Sequence, residues 1–438
     1  MSRVVKKFGE LVGKNIEKNP KKSLRLLKAG YTASGIQMKY FSKHDLLPHQ
    51  KYASVICNEN VRYSLSKPDN SAVVNIFFPC ELLHAMDIKP GFIEGMSVYL
   101  NGAGSERYFI DYAENMGISQ SYCSYHKALI GAALSKVIPK PKFIMNTTFA
   151  CDANIITFRT LAEFWNVPAF TVDTPNSDSN EAIEYLEDQL KKAAVFIEDM
   201  TQRRFDEDKL KEIIKRENRS VYLYKEFLKE LSYKYIPNDV TSEMYKLFFT
   251  HILLGSKEAE KYFELLLTDA KNAKLSDKRI RILWCHTIPN WQKSIKEIIN
   301  NERYQLLAID MNDDALIDLD ESMPFRSLAR KLLYNHMRGS SNRRAEKLLQ
   351  MAIALKADGI IYFNHWGCKK TLGSSGIVKK ILEKNGIPVL ILDGDGCDRQ
   401  NINEGQMRTR LQAFMEMLEG KNNAVCLQIC SDRNSSRL

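Results

Sequence analysis

Two blocks of the chain alternate short apolar runs with amphipathic helical stretches, while residues 176–275 between them carry no strand signal. In the first block the apolar runs are "SAVVNIFF", "KFIMNTTFA" and "VPAFTVDTP". In the second they are "KRIRILW", "YQLLAIDM", "ADGIIYFN" and "IPVLILDGD". Each is short, rich in branched or aromatic residues, and followed by a segment of 3.6-residue periodicity. Strands that alternate with helices pair in parallel through crossovers, so each block is expected to wind doubly about its own sheet.

The fold class expected is therefore α/β: two doubly wound, flavodoxin-like parallel-sheet domains with a helical insertion and a helical N-terminal arm. The expected divisions are a basic helical arm at 1–66, a first α/β unit at 67–175 and a helical segment at 176–275. A second α/β unit follows at 276–420, then a tail at 421–438. A chain of 438 residues exceeds what one core usually organises, which agrees with several units.

Charge is unevenly placed. Residues 1–51 hold twelve Lys or Arg against three acids, a surplus of nine out of the net +10. The rest of the chain is close to neutral, so a general nucleic-acid surface is not expected, and the basic excess belongs to the arm. Neither a membrane span nor an export signal is read from the apolar pattern, and the expected location is cytoplasmic.

Nine cysteines in such a chain point to metal or redox chemistry, since a reducing cytosol disfavours disulfides. No CxxC pair occurs, which argues against zinc ribbons and thioredoxin-like chemistry. Cys80, Cys151, Cys285, Cys368 and Cys397 each fall at or just past the end of an apolar run, and Cys123 sits in a turn before a helix. Ligands of open α/β sheets bind at the carboxyl ends of strands. Helices that start at such turns aim unpaired N–H groups at the sulfurs and favour anionic groups there. With three cysteines from each block, a cleft between the two units is the natural site. Six thiolates favour iron–sulfur chemistry over zinc. Cys57, Cys426 and Cys430 are read as incidental thiols.

The stretches "FFPCELLHAMDIKPGF", "SYCSYHKALIGAAL", "CDANIITFRTLAEFWNVP", "FNHWGCKKT" and "LDGDGCDRQNINEGQMRTRLQAFMEML" resemble the 2-hydroxyacyl-CoA dehydratase and benzoyl-CoA reductase superfamily over about residues 70–420. In the dehydratase subunits of that superfamily three cysteines hold one [4Fe–4S] cluster, which by motif would be Cys80, Cys123 and Cys368. The additional Cys151, Cys285 and Cys397 resemble the double-cubane cluster proteins, where six cysteines hold two cubanes that share a sulfide. The resemblance implies a homodimer, oxygen sensitivity, an anaerobic host and an ATP-hydrolysing iron–sulfur activator that delivers low-potential electrons for reduction of a small-molecule substrate. No GxxxxGK[ST] occurs, consistent with ATP chemistry on a second protein.

His84, His126, His286 and His365 lie close in sequence to these cysteines and are expected to hydrogen-bond sulfur or backbone. Proton delivery by Glu81, His286 or His365 is the sharper alternative. Trp284, Trp291 and Trp366 are expected to pack around the cleft, and Lys369, Lys370, Asp398 and Arg399 to orient substrate, shield cluster charge or face solvent. Three functions stay open: a double-cubane reductase, a dehydratase-type subunit with a single [4Fe–4S] cluster, and a non-catalytic electron-storage protein.

Overall fold

The computed structural model describes residues 2–42, 45–276 and 279–435. The side chains of Cys426 and Cys430 lie outside the described residues. The chain opens with three helices, α1 (Arg3–Gly13), α2 (Pro20–Tyr40) and α3 (Pro48–Ser66). Their starts follow local chemistry: Ser2 Oγ accepts the Val5 N–H, and Asn19 Oδ1 accepts the Lys22 N–H just ahead of Pro20.

The first sheet region then runs β1 (Ser71–Val74), α4 (Glu81–Ala85), β2 (Lys89–Phe92), α5 (Ile93–Gly102), α6 (Glu106–Asn115), α7 (Ser124–Leu134), β3 (Phe143–Thr147), α8 (Asp152–Trp165) and β4 (Ala169–Val172). A mostly helical stretch follows: α9 (Asn180–Thr201), α10 (Glu207–Leu231), β5 (Lys234–Tyr235), α11 (Val240–Leu247), α12 (Lys257–Lys271) and β6 (Lys274–Leu275). The second sheet region comprises β7 (Ile280–Cys285), α13 (Lys293–Ile299), β8 (Tyr304–Ile309), α14 (Pro324–Leu333), α15 (Ser341–Ala354), β9 (Gly359–His365), α16 (Lys369–Lys384), β10 (Val389–Gly394) and α17 (Glu404–Ser435).

Both four-stranded sheets are parallel, and both follow one plan. The first has the order β2-β1-β3-β4 and the second β8-β7-β9-β10. This is the flavodoxin-like order, in which the chain reverses direction across the sheet between the first and third strands. β1, β3, β7, β8 and β9 are buried along their whole length, as strands covered by helices on both faces must be.

Three local outcomes differ from the sequence reading. β1 stops at Val74 because Asn75 leaves the ladder: its Nδ2 donates to Thr147 Oγ1, and Thr147 N–H donates to its Oδ1, each at 3.2 Å. Residues 76–78 then turn toward the cleft. β2, "KPGF", was not legible as a strand; its Pro90 is tolerated because β2 is the sheet edge. The helical stretch also holds a two-residue antiparallel ladder, Lys234–Tyr235 with Lys274–Leu275, too short to leave a periodic signal.

The turn after β10 fastens the second region to the first. Asp398 meets Arg107 at 2.7 Å, Arg399 meets Glu106 at 2.8 Å, and Asn101 Nδ2 donates to the Cys397 carbonyl at 2.6 Å. Asp398 and Arg399, expected to orient substrate, shield cluster charge or face solvent, act as fasteners across the seam, and Arg399 also borders the cavity there. Among the described residues no helix is long and apolar enough to cross a membrane.

Candidate functional site

The seam between the two sheets opens into a cavity of about 1560 Å³. Cys123, Cys151 and Cys368 line it, as do His126, His286 and His365. Three of the sulfurs sit at helix starts on this wall: Cys123 caps α7, Cys151 caps α8 and Cys368 caps α16. The backbone beside several cysteines is in the left-handed region, at Ala150 (φ 67°), His286 (φ 77°) and Gly367 (φ 83°). Such conformations cost energy for residues with a Cβ and persist where surrounding structure fixes them.

Each cavity sulfur faces one imidazole. His365 Nε2 lies 3.1 Å from Cys123 Sγ, His286 Nε2 lies 3.6 Å from Cys368 Sγ, and His126 Nε2 lies 3.7 Å from Cys151 Sγ. For His365 the tautomer follows from its other nitrogen: Nδ1 accepts the Gly396 N–H at 3.0 Å. In the neutral ring the proton is then on Nε2, which donates to Cys123 sulfur. Burial lowers the pKa of all three rings, that of His126 down to about 3 with His365 adding to the effect.

The other three cysteines do not line the cavity. Cys285, the last residue of β7, is fully buried, and its Sγ donates to Asp310 Oδ2 at 3.3 Å. Cys397 is fully buried, with Sγ 3.8 Å from the Ser97 carbonyl. Cys80 caps the short α4 inside the core. Cys285 and Cys397 are nonetheless close enough to feel the cavity thiols, Cys285 that of Cys368 and Cys397 that of Cys123, while Cys80 feels Glu81, Lys331 and the cavity-wall Glu94, which also acts on Cys151. Burial pushes the thiols of Cys80, Cys123, Cys285 and Cys397 well up and that of Cys151 to about 12. They are neutral thiols unless a bound cationic centre takes their protons' place.

Glu81, expected as a proton donor, has another setting. It is buried against Lys331, which also holds Glu217, away from the cavity wall. Trp284 is buried and donates to the Thr287 carbonyl, and Trp291 lines the cavity and donates to Gly396 O at 2.7 Å. Trp366 is 44% exposed, so it does not pack into the cleft. Lys369 pairs with Asp152 at 3.5 Å and Lys370 donates to Gly339 O at 2.9 Å, both at the cavity rim.

Sequence reading missed Glu94, Asp310 and Arg344. Glu94 lies on the cavity wall, its Oε1 accepts the Ile76 N–H at 3.3 Å, and burial raises its carboxyl to about 7. Asp310 follows β8 directly, the same strand-end position as the cysteines, and that signal was available. Burial works to raise its carboxyl, but Arg344 and its hydrogen bonds hold it down at about 2.

Among the described residues no three His, Cys, Asp or Glu side chains converge on one point as ligands of a single metal ion. The cavity sulfurs instead surround a space. Three thiols spread around a cavity at helix N-termini, each with a neutral imidazole beside it, fit a polynuclear group that carries its own inorganic sulfide.

The buried imidazoles also give a testable pH effect. His126 binds its proton far less readily folded than unfolded, so the stability gained by keeping it neutral is full above about 6.5 and is lost as pH falls toward 3. Between pH 7 and 5.5 the loss from this group comes to about 1 kcal/mol. His126→Gln is expected to remove that amount from the pH dependence of urea unfolding in cluster-free protein. An unchanged pH dependence would mean that His126 is solvated.

The chain matches the family described as "2-hydroxyglutaryl-CoA dehydratase, D-component" over residues 75–418. It is 25% identical over 374 residues to the (R)-phenyllactyl-CoA dehydratase alpha subunit of Clostridium sporogenes, covering 79% of this chain and 89% of that one. Against the lactoyl-CoA dehydratase subunit alpha of Anaerotignum propionicum it is 25% identical over 353 residues, 71% and 81% of the two chains. The (R)-2-hydroxyisocaproyl-CoA dehydratase alpha subunit of Clostridioides difficile is 21% identical over 378 residues, 78% and 88%. With the family matched over every strand but β1 and over the cysteine-lined seam, the chain belongs to the 2-hydroxyglutaryl-CoA dehydratase D-component family.

Proposed function

We propose that the chain is an iron–sulfur reductase of this family. It would hold a double-cubane group in the seam, receive low-potential electrons from an ATP-hydrolysing iron–sulfur partner protein and reduce a small substrate in the cavity. The observation that carries this reading is that Cys151 joins Cys123 and Cys368 on one cavity wall, each at a helix start, with Cys285 and Cys397 at strand ends behind them, more thiols than one cubane on three thiolates requires. Cys123, Cys151 and Cys368 would hold the group from the cavity side, with Cys285 and Cys397 reaching it from behind; Cys80, the sixth cysteine of the expected set, would need its turn to move toward them.

When bound, such a group supplies one-electron chemistry at low potential. The chain's own residues do the rest. His365 Nε2–H donates to the Cys123 sulfur and so favours its thiolate form. The helix starts at Cys123, Cys151 and Cys368 add positive dipole ends toward the same space. Apolar side chains such as Phe77, Phe92 and Met311 line the cavity and limit water around a bound substrate. Glu94, on that wall with its carboxyl raised to about 7 by burial, is able to give up a proton near neutral pH.

A second reading has support of its own. The relatives are dehydratase alpha subunits by name, and a dehydratase-type subunit would hold a single [4Fe–4S] group on Cys80, Cys123 and Cys368 and act on a 2-hydroxyacyl-CoA. Cys80 stands apart from the cavity sulfurs, which weighs against that ligand set and equally against Cys80 as a sixth ligand of the larger group; the cavity position of Cys151 is what favours more than three thiols. Anaerobic reconstitution distinguishes the two. The reductase reading expects about eight irons per chain, the dehydratase reading about four. It also expects Cys151→Ser and Cys285→Ser to lose iron, and the cluster to be reduced on mixing with the partner ATPase, ATP and a reductant. Full iron retention in both variants would overturn it.

A further inference from the structure

Arg344 has no role in the chemistry so far, yet it is a permanent cation deep inside the protein, 2% exposed. It extends from the first turn of α15 to the end of β8, where its Nε donates to Asp310 Oδ2 at 2.7 Å. The same oxygen accepts the Cys285 Sγ–H at 3.3 Å, so guanidinium and sulfur share one carboxylate atom. The guanidinium also lies over the Tyr362 ring, 5.5 Å from its centroid, and its Nη1 is buried with no hydrogen-bond partner. Other charged and titratable groups that feel it include His286, His336 and Lys370, each disfavoured as a cation by its presence.

Arg344, Asp310 and Cys285 together are neutral only while Cys285 keeps its proton between sulfur and carboxylate. A negatively charged sulfur at Cys285 would meet Asp310 at short range without that proton. Arg344, with an N–H group unfilled, is the nearby positive charge that offsets this repulsion. We propose that Arg344 is a potential-setting residue: a buried counter-charge on the Cys285 side of the seam that stabilises the more negative, reduced state of a thiolate-bound redox group. The inference rests on the iron–sulfur reading above. One electron enters from the partner protein, no bond is made or broken at Arg344, and its charge is the same before and after.

Removing a buried unit charge within several ångströms of a redox group weakens electron uptake by about tenfold or more, equal for a one-electron couple to a potential about 59 mV more negative. The test is an anaerobic potentiometric titration of reconstituted wild type, Arg344→Gln, Arg344→Lys and Asp310→Asn, with iron measured in each. Arg344→Gln with wild-type iron is expected to titrate at lower potential, and Arg344→Lys to recover most of the shift. Asp310→Asn, which leaves Arg344 without its carboxylate, is expected to shift the potential upward. If Arg344→Gln fails to fold or to load, the double variant Arg344→Gln, Asp310→Asn decides the matter: it is expected to titrate below Asp310→Asn, and an equal potential would overturn the inference. An iron-replete Arg344→Gln at the wild-type potential, or no upward shift in Asp310→Asn, would overturn the inference. Wild-type protein that holds no iron would overturn the iron–sulfur reading, and this inference with it.

Discussion

Lys331→Met is expected to destabilise the protein by about 3–5 kcal/mol, because it leaves two buried carboxyls without their shared cation. Lys331 Nζ donates to Glu81 Oε1 at 2.6 Å and to Glu217 Oε1 at 2.7 Å, and all three side chains are at most 7% exposed. Burial acts to raise both carboxyls. Lys331 and hydrogen bonds hold Glu81 below its ordinary range, whereas Glu217 is pushed well above it. The triad joins α4, α10 and α14, so its loss would loosen the core behind Cys80. Glu217→Gln replaces a carboxyl whose charged form burial already disfavours and is expected to cost far less, about 1 kcal/mol. Urea unfolding of the two variants reads the contrast; equal midpoints would mean the triad is not held as a buried charged unit.

Gly367→Ala is the second large effect, and it acts on the seam itself. Gly367 has φ 83°, and an added Cβ would stand 2.7 Å from the Cys123 backbone N and Cα. The strained backbone and the overpacking together are expected to cost about 2–5 kcal/mol. The backbone bearing Cys123 belongs to the first sheet region and Gly367 to the second, so relief of the clash must push Cys123 and Cys368 apart. Iron uptake is therefore expected to fall more than unfolding stability alone would explain. A Gly367→Ala variant that takes up iron normally would show that the approach of these two turns is not needed.

Much of the architecture is legible because β1, β3, β7, β8 and β9 are buried along their whole length. Strands covered on both faces must be continuous apolar runs, so "KFIMNTTFA", "YQLLAIDM" and "ADGIIYFN" stand out from their helical surroundings. β2 does not stand out, since an edge strand needs neither length nor apolar continuity and can hold Pro90. The site is legible in kind and less so in detail. Cysteines at strand ends announce the cleft, and Cys123, Cys151 and Cys368 do line one cavity. Sequence position does not tell a cavity thiol from one turned into the core, because that depends on side-chain direction at each turn: Cys285 turns to Asp310 and Cys397 to the Ser97 carbonyl. Glu81 was misplaced for the same reason. It follows Cys80 in the chain, but α4 directs its carboxyl toward Lys331 from α14, a partner 250 residues away. Arg344 left no signal, since beside Arg343 on an amphipathic helix it resembles an ordinary solvated cation.

The repeated strand order gives these details a common frame. Cys80 and Cys285 follow the first strand of each sheet, and Cys151 and Cys368 follow the third. Two equivalent switch points therefore face one seam, each offering one deep sulfur and one cavity sulfur. Cys123 and Cys397 have no counterparts in that scheme and lie together on one side of it, in electrostatic contact.

The most direct measurement is the iron and acid-labile sulfide content of anaerobically reconstituted protein, wild type beside the Cys123→Ser, Cys151→Ser, Cys368→Ser triple variant. The account predicts a full complement of iron with matching sulfide in the wild type and essentially none in a triple variant that folds normally by circular dichroism. A folded triple variant that keeps its iron would contradict it.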